Sequence, residues 1–249
     1  LHQAASSDRR NLSLSVHPVP AQQGAKSEVL AQLLNDHLPR ALNQPLEFDG
    51  FSPAADGRYP EAGIVFAMYA DPHGKTTFAE GTAEIAAQLR ETLGLTKEQV
   101  QTHASRVPKV CPQCGSHDYR KARSGDPMLT CSSCHQVFPQ PRKVENWEIT
   151  LQQRHHAFQQ DQFPLLVATK GFGMGIDKRN VSFVVHHAFA SGLEGYYQEA
   201  GRAGRANQRA HVALLYIPPH DACLRDTIDQ GKMPLCMTDP DSFKYRKCP

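Results

Sequence analysis

Two groups of residues in this 249-residue sequence have the types and spacing to do chemistry. The first is Cys111-Pro112-Gln113-Cys114 and Cys131-Ser132-Ser133-Cys134, two Cys-x-x-Cys pairs with sixteen residues between them. Two sulfurs at that spacing reach one ion from a single turn. Two such turns close the tetrahedral shell that structural zinc takes, and a sulfur-only shell also accepts iron. His117 and His135 lie nearby, but four thiolates already complete the shell. The second group is Gly201-Arg202-Ala203-Gly204-Arg205. Arginine is permanently charged and offers a rigid fork of donors. Two arginines at a helix end stabilise the charge that builds on phosphoryl oxygens when another body holds the phosphates. Upstream, Thr169 ends an apolar run, the position at which α/β proteins form ligand sites, and the glycine-rich loop Gly171–Gly175 follows it.

One tempting signal fails on inspection. Asp71-Pro72-His73-Gly74-Lys75-Thr76 sits between a strand pattern and a helix pattern, as a phosphate-binding loop would. That loop needs a second glycine five residues before Gly74, so that backbone amides can curl around phosphate. Tyr69 occupies the position, and no acidic pair follows a strand to hold magnesium.

The elements that must position these residues alternate. Strand patterns are read over 12–16, 63–69, 100–104, 164–169, 182–187 and 210–217. Helix patterns are read over 26–38 (ended by Pro39), 77–93 (ended by Gly94), 145–160, 193–202 and 221–230, with a Pro- and Gly-rich loop over 43–60. Strands alternating with helices predict an α/β fold with a mainly parallel sheet flanked by helices. The stretch 108–143 breaks the rhythm with Cys, Pro, Ser and basic residues, and reads as an inserted ribbon with almost no apolar core, so that metal must supply its folding energy. The predicted organisation is therefore 1–107 and 144–231 as two parts of one domain, 108–143 as the insert, and 232–249 as an extension holding Cys236 and Cys248.

Composition sets the remaining bounds. A net charge of +2 is nearly balanced, so any basic surface is local. No apolar run approaches membrane-spanning length, so no membrane partner is expected. The opening Leu1-His2-Gln3-Ala4 has no charged segment before an apolar block, so no secretory leader is expected either. Seven cysteines without an export signal favour metal over disulfides and make the cytoplasm the expected location. The missing initiator Met is explained most simply by a fragment of a longer chain.

The run 164–205 carries a resemblance. Ala168-Thr169, Gly171-Phe172-Gly173-Met174-Gly175-Ile176-Asp177 and Tyr196-Tyr197-Gln198-Glu199-Ala200-Gly201-Arg202-Ala203-Gly204-Arg205 resemble, in order, motifs V and VI of RecQ-like superfamily-two DNA helicases. Gly63-Ile64-Val65-Phe66 resembles the motif IV strand, and Thr102-His103-Ala104 the family's Tyr-His-Ala step. The resemblance implies a second, C-terminal RecA-like motor domain. It implies Arg205 as arginine finger, Arg202 beside the γ-phosphate or its acidic partner, and Gln198 coupling nucleotide to motion. Gly175 and Asp177 would lie at the nucleotide, and Thr169, Lys170 and His103 at the DNA backbone. ATP and Mg2+ would be shared with a first RecA-like domain of the same parent chain or a partner subunit, and the chain alone would be inactive. The implied partner is DNA at a single-strand/duplex junction, with 3'–5' polarity. Gly201 and Gly204 are expected to admit the neighbouring domain's backbone, and Tyr196 and Tyr197 either pack inward or face a ligand.

The cysteine ribbon departs from the family pattern, in which zinc follows this domain. Its excess of Lys and Arg, including Arg120, Lys121 and Arg123, suits contact with DNA or a partner, or equally a solvated knob. A non-catalytic, zinc-stabilised DNA- or protein-binding module of helicase-derived fold accommodates the same residues.

Overall fold

The computed structural model describes residues 9–20, 24–42, 51–70, 80–105, 109–114, 119–121, 128–169, 172, 178–188, 192–205 and 208–217. In chain order the elements are β1 (Leu12–Pro18), α1 (Ala25–Gln32), a π-helical turn (Leu33–His37), α2 (Leu38–Ala41), β2 (Ala62–Ala67), α3 (Thr82–Leu93) and β3 (Val100–His103). The short strands β4 (Lys109–Val110), β5 (Tyr119–Lys121), β6 (Leu129–Cys131), β7 (Val137–Phe138) and β8 (Arg142–Lys143) follow. The chain returns through α4 (Trp147–Gln159), β9 (Leu165–Thr169), β10 (Val181–His186), α5 (Leu193–Ala200) and β11 (Ala210–Tyr216).

Six strands form one sheet in the order β1-β11-β10-β2-β9-β3, and every pairing in it is parallel. β2 and β10 are buried along their whole length, as a parallel sheet covered on both faces requires. The period-two alternation sends Val65, Val167, Val185 and Leu215 to one face, under Leu30, Leu34, Ile85 and Leu89 of the α1 and α3 side. Ile64, Phe66, Leu166 and Val184 point to the other, under Phe158 of α4 and Ala200 of α5. The result is a three-layer α/β/α body with one core on each side of the sheet. Each fully buried large aliphatic or aromatic side chain contributes about 1.5–3 kcal/mol, so these two clusters carry the domain.

Two local details differ from the sequence reading. The first helix does not stop at Pro39. It widens to a π turn at Leu33–His37 and runs on to Ala41. Proline cannot donate to the carbonyl four residues earlier and its ring crowds that carbonyl, and a widened turn relieves both. The motif VI helix ends at Ala200, so Arg202 and Arg205 sit on the turns after it.

The insert leaves the body after β3 and re-enters at α4. Its stem is the antiparallel pair β4·β8, joining Lys109 to Lys143, and its head is the three-stranded antiparallel sheet β5-β6-β7. Trp147, the first residue of α4, ties the root down: its Nε1–H donates to the Ala104 carbonyl at 2.9 Å, and the Arg154 guanidinium lies 5.0 Å from its ring centroid. The expected helix over 221–230, the extension, the rejected loop at Asp71–Thr76 and Cys223, Cys236 and Cys248 all lie outside the described residues.

Candidate functional site

The four cysteines of the two pairs come together. Their sulfurs all lie within 4.8 Å of one another, with Cys111 to Cys134 at 3.7 Å and Cys114 to Cys131 at 3.5 Å. Cys111 and Cys131 are fully buried and pack with Phe138 and Leu129, a core far too small to hold a fold unaided. The Cys134 backbone N–H and then that of Ser133, with the neighbouring sulfurs, pull the Cys131 thiol down to about 6. Cys134 goes the other way, to about 12: the Gln136 N–H would lower it, but burial and three adjacent sulfurs outweigh that. Sulfurs that contend for protons at such distances suit one cation held in common, and the set could hold a metal. His135 takes a positive φ of 59° in the turn after Cys134. The side chains of Arg120, Lys121 and Arg123 lie outside the described residues.

The arginine-bearing turn is clamped to the start of the chain. Arg9 Nη2 donates to the carbonyls of Ala203 at 2.7 Å and Gly204 at 3.0 Å, and Asn11 Nδ2 donates to Gly204 O at 2.7 Å and Gln208 O at 2.8 Å. Gly204 has φ +65°, and a Cβ there would stand 2.6 Å from Asn11 Nδ2 and 3.0 Å from Leu12 and Ala210. The glycine is therefore demanded by packing within this domain, where the sequence reading assigned it to the approach of a neighbouring one. Gly201 is likewise occupied internally, its N–H bonded to the Tyr197 carbonyl at 2.8 Å. Arg202 is 8% exposed and Arg205 is half-buried. Burial and the adjacent Arg205 charge press Arg202 below its ordinary value, while Glu199 opposes them. Gln198 lies on the exposed face of α5 with its Nε2–H 3.3 Å from Glu194. The two tyrosines divide: Tyr196 packs against the core and stands 4.7 Å from the His186 ring, whereas Tyr197 is 70% exposed.

Thr169 and His103 fall on neighbouring strands at the carboxyl edge of the sheet, since β3 pairs His103 with Ala168 of β9. His103 is half-buried and its ring packs at a tilt 4.4 Å from that of Phe172, the described member of the motif V loop. Burial first, then the charges of His155 and Arg154, lower its pKa to about 4. It is a neutral imidazole at pH 7, able to hydrogen-bond a phosphate oxygen but not to pair with it as a cation. Lys170, Gly175 and Asp177 lie outside the described residues. The arginine turn lies toward the opposite edge, because the Gly204 N–H bonds Val181 O at the start of β10.

Sequence reasoning missed a buried polar network at the end of β10. His187 Nε2 stands 2.9 Å from Glu80, whose two carboxylate oxygens accept from the Ser27 hydroxyl, and Lys26 Nζ donates to the His187 carbonyl at 2.9 Å. Burial lowers both His187 and Lys26. One residue earlier, His186 is fully buried against Glu199 at 3.1 Å, linking β10 to the helix before the arginines. The signal was available: two histidines closing an apolar strand pattern cannot be buried without partners.

A parallel sheet covered by helices on both faces carries an arginine turn after α5 and a threonine at a strand's carboxyl end. Residues 148–207 match the family described as "Helicase conserved C-terminal domain". The chain is 40% identical over 98 residues to the ATP-dependent DNA helicase hus2/rqh1 of Schizosaccharomyces pombe, covering 35% of this chain and 7% of that protein. It is 38% identical over 117 residues to the ATP-dependent DNA helicase RecQ of Pasteurella multocida, covering 42% and 18%. Domain 2 of the DEAD-box helicase Mss116p, solved with an RNA duplex, aligns with a TM-score of 0.49 at 13% identity, covering 88% of this chain and 60% of that one. The chain thus spans less than a fifth of the length of these two curated relatives. The resemblance to RecQ-like helicases is borne out over the segment that carries it, as is the α/β fold. Among the described residues no helix is long and apolar enough to cross a membrane.

Proposed function

We propose that this chain is the second motor domain of a RecQ-like, ATP-dependent DNA helicase, unwinding 3'–5' and incomplete without a first RecA-like domain from the parent chain or a partner subunit. The observation that carries the reading is the arginine turn, stapled by Arg9 and Asn11 and braced by Glu199. A backbone turn held this firmly presents its two arginines to phosphoryl charge with little reorganisation of the chain, which is what transition-state stabilisation favours. ATP with Mg2+ would supply the bond whose hydrolysis drives movement. In this reading Arg205 faces the phosphates across the interface, Arg202 supports the γ-phosphate or its acidic partner, Gln198 couples nucleotide to motion, and Gly175 and Asp177 lie at the nucleotide. Thr169, Lys170 and His103 contact the DNA backbone, so little sequence specificity is expected from this domain. Cys111, Cys114, Cys131 and Cys134 would hold a structural zinc ion that braces the ribbon.

The test is Arg205→Ala in the parent protein. DNA-stimulated ATP hydrolysis should fall by about 10³-fold or more, with ATP affinity changed less than about tenfold. Hydrolysis at the parent's rate would remove Arg205 from catalysis and favour a non-catalytic binding module.

A further inference from the structure

On the outer end of the sheet, where β1 lies beside β11, three histidines converge. His17 closes the edge strand β1, His211 lies on β11 beside it, and His37 is the last residue of the π turn that covers them. One ring nitrogen from each lies within 4.8 Å of the others. The His37 ring stands 5.0 Å from that of His17 and 5.1 Å from that of His211, both edge-on. We propose that His17, His37 and His211 form a second metal site, taking one divalent ion of the zinc class through three imidazoles and leaving its fourth position open.

The surroundings are arranged as a ligand set needs. Ser13 Oγ lies 2.7 Å from His211 Nδ1, the kind of outer contact that fixes a ligating imidazole's tautomer and orientation, so that an ion would meet Nε2 in place of the Ser15 hydroxyl. Ser15 Oγ lies 2.7 Å from the Nε2 atoms of both His17 and His211, so one small polar atom already occupies the point toward which two rings aim. A tetrahedral ion with arms of about 2.0–2.1 Å needs nitrogens about 3.3 Å apart, so the rings must close by up to roughly 1.5 Å. His37 is exposed and can move, while His211 is 2% exposed and anchored. Burial, then the proximity of His37 and His17, lowers His211 to about 4, and burial, then His37, lowers His17 from its ordinary value. Imidazole-only donors select zinc, copper, nickel or cobalt over magnesium or calcium.

The π turn that accommodates Pro39 also sets the direction of His37. Such turns recur at functional sites because one extra residue re-aims the next side chain. Here it turns His37 toward the edge of β1, which has β11 on one side and, among the described residues, no strand on the other. An ion would bridge helix layer and edge strand.

The experiment is a titration of Zn2+ and then Co2+ into the full chain with its cysteine site already loaded, read by calorimetry and visible absorption. The expected result is one further ion per chain, whose cobalt form shows d–d absorption without the sulfur-to-metal band of a thiolate site. His37→Gln should weaken that binding at least about 100-fold, while His156→Gln, on the exposed face of α4, should leave it intact. Ser13→Ala should weaken it about tenfold through ring orientation. Equal uptake by the parent chain and His37→Gln would overturn the site, as would equal losses in His37→Gln and His156→Gln, which would mark diffuse binding to surface histidines. Should His37→Gln not fold, His17→Gln decides the question by the same readings. ATP hydrolysis plays no part in these readouts, so the helicase reading and this site fail separately.

Discussion

The α/β body and the cysteine ribbon stabilise themselves by opposite means within one chain. The body covers a six-stranded sheet on both faces with two apolar clusters, and its polar groups are absorbed into networks such as His187–Glu80–Ser27. The ribbon has Phe138, Leu129 and the cysteine sulfurs for a core. A segment that small cannot offset its chain entropy by burial, so its structure is contingent on what the sulfurs bind. Because the ribbon sprouts from the end of β3, beside His103, whatever orders it also orders the root of a strand that carries a candidate DNA contact. Trp147 is the mechanical link, reaching back to Ala104 across that root.

The sharpest way to break this contrast is to remove the metal that the four sulfurs are proposed to hold. Metal free energy in small zinc modules is of order 10 kcal/mol, and all of it falls on the ribbon. Chelation, or Cys131→Ser, should make the 109–143 segment rapidly cleavable by protease while the thermal transition of the body moves by only a few degrees. Coincident loss of both regions would show one cooperative unit instead of two. A smaller effect strikes the body alone. Phe158→Ala opens a cavity beside Phe163 and Phe172 and should cost about 3–5 kcal/mol by urea unfolding, with the ribbon's metal content unchanged. The smallest effect lies at the seam. His103 titrates near 4 in the folded chain and near 6.5 unfolded, so acid favours the unfolded state. Its contribution is complete above pH 6.5, declines as the pH falls and is gone below about 4, amounting to about 1 kcal/mol at pH 5 after allowance for its partial exposure. Urea unfolding of the parent and His103→Gln at pH 7 and pH 5 measures it, and an equal pH dependence in both would assign the effect elsewhere.

The parts most legible in the sequence were those with a short-range cause. Continuous apolar runs bounded by turns placed β2, β9, β10 and β11 within a residue or two, because a doubly covered strand has no polar face to disguise it. The ribbon was legible because four sulfurs at fixed spacing have few other uses. The first helix was misjudged at Pro39, where a local rule about proline yielded to Leu34 and Leu38, both fully buried, which keep the helix running through a π turn. Gly204 was legible as a glycine the fold needs, but its reason was not, since the atoms it must avoid belong to Asn11 and Leu12, almost two hundred residues earlier.

By itself, then, the sequence determined the alternation of strands and helices, the sulfur set and the motif order from Thr169 to Arg205, because each depends on neighbours within a few residues. Tertiary structure alone decided that β1 lies beside β11, that Arg9 and Asn11 hold the arginine turn, and that His17, His37 and His211 meet at one edge. Parallel pairing joins strands through long crossovers, so which residues become neighbours follows from how the whole sheet is ordered, and no local pattern encodes that order.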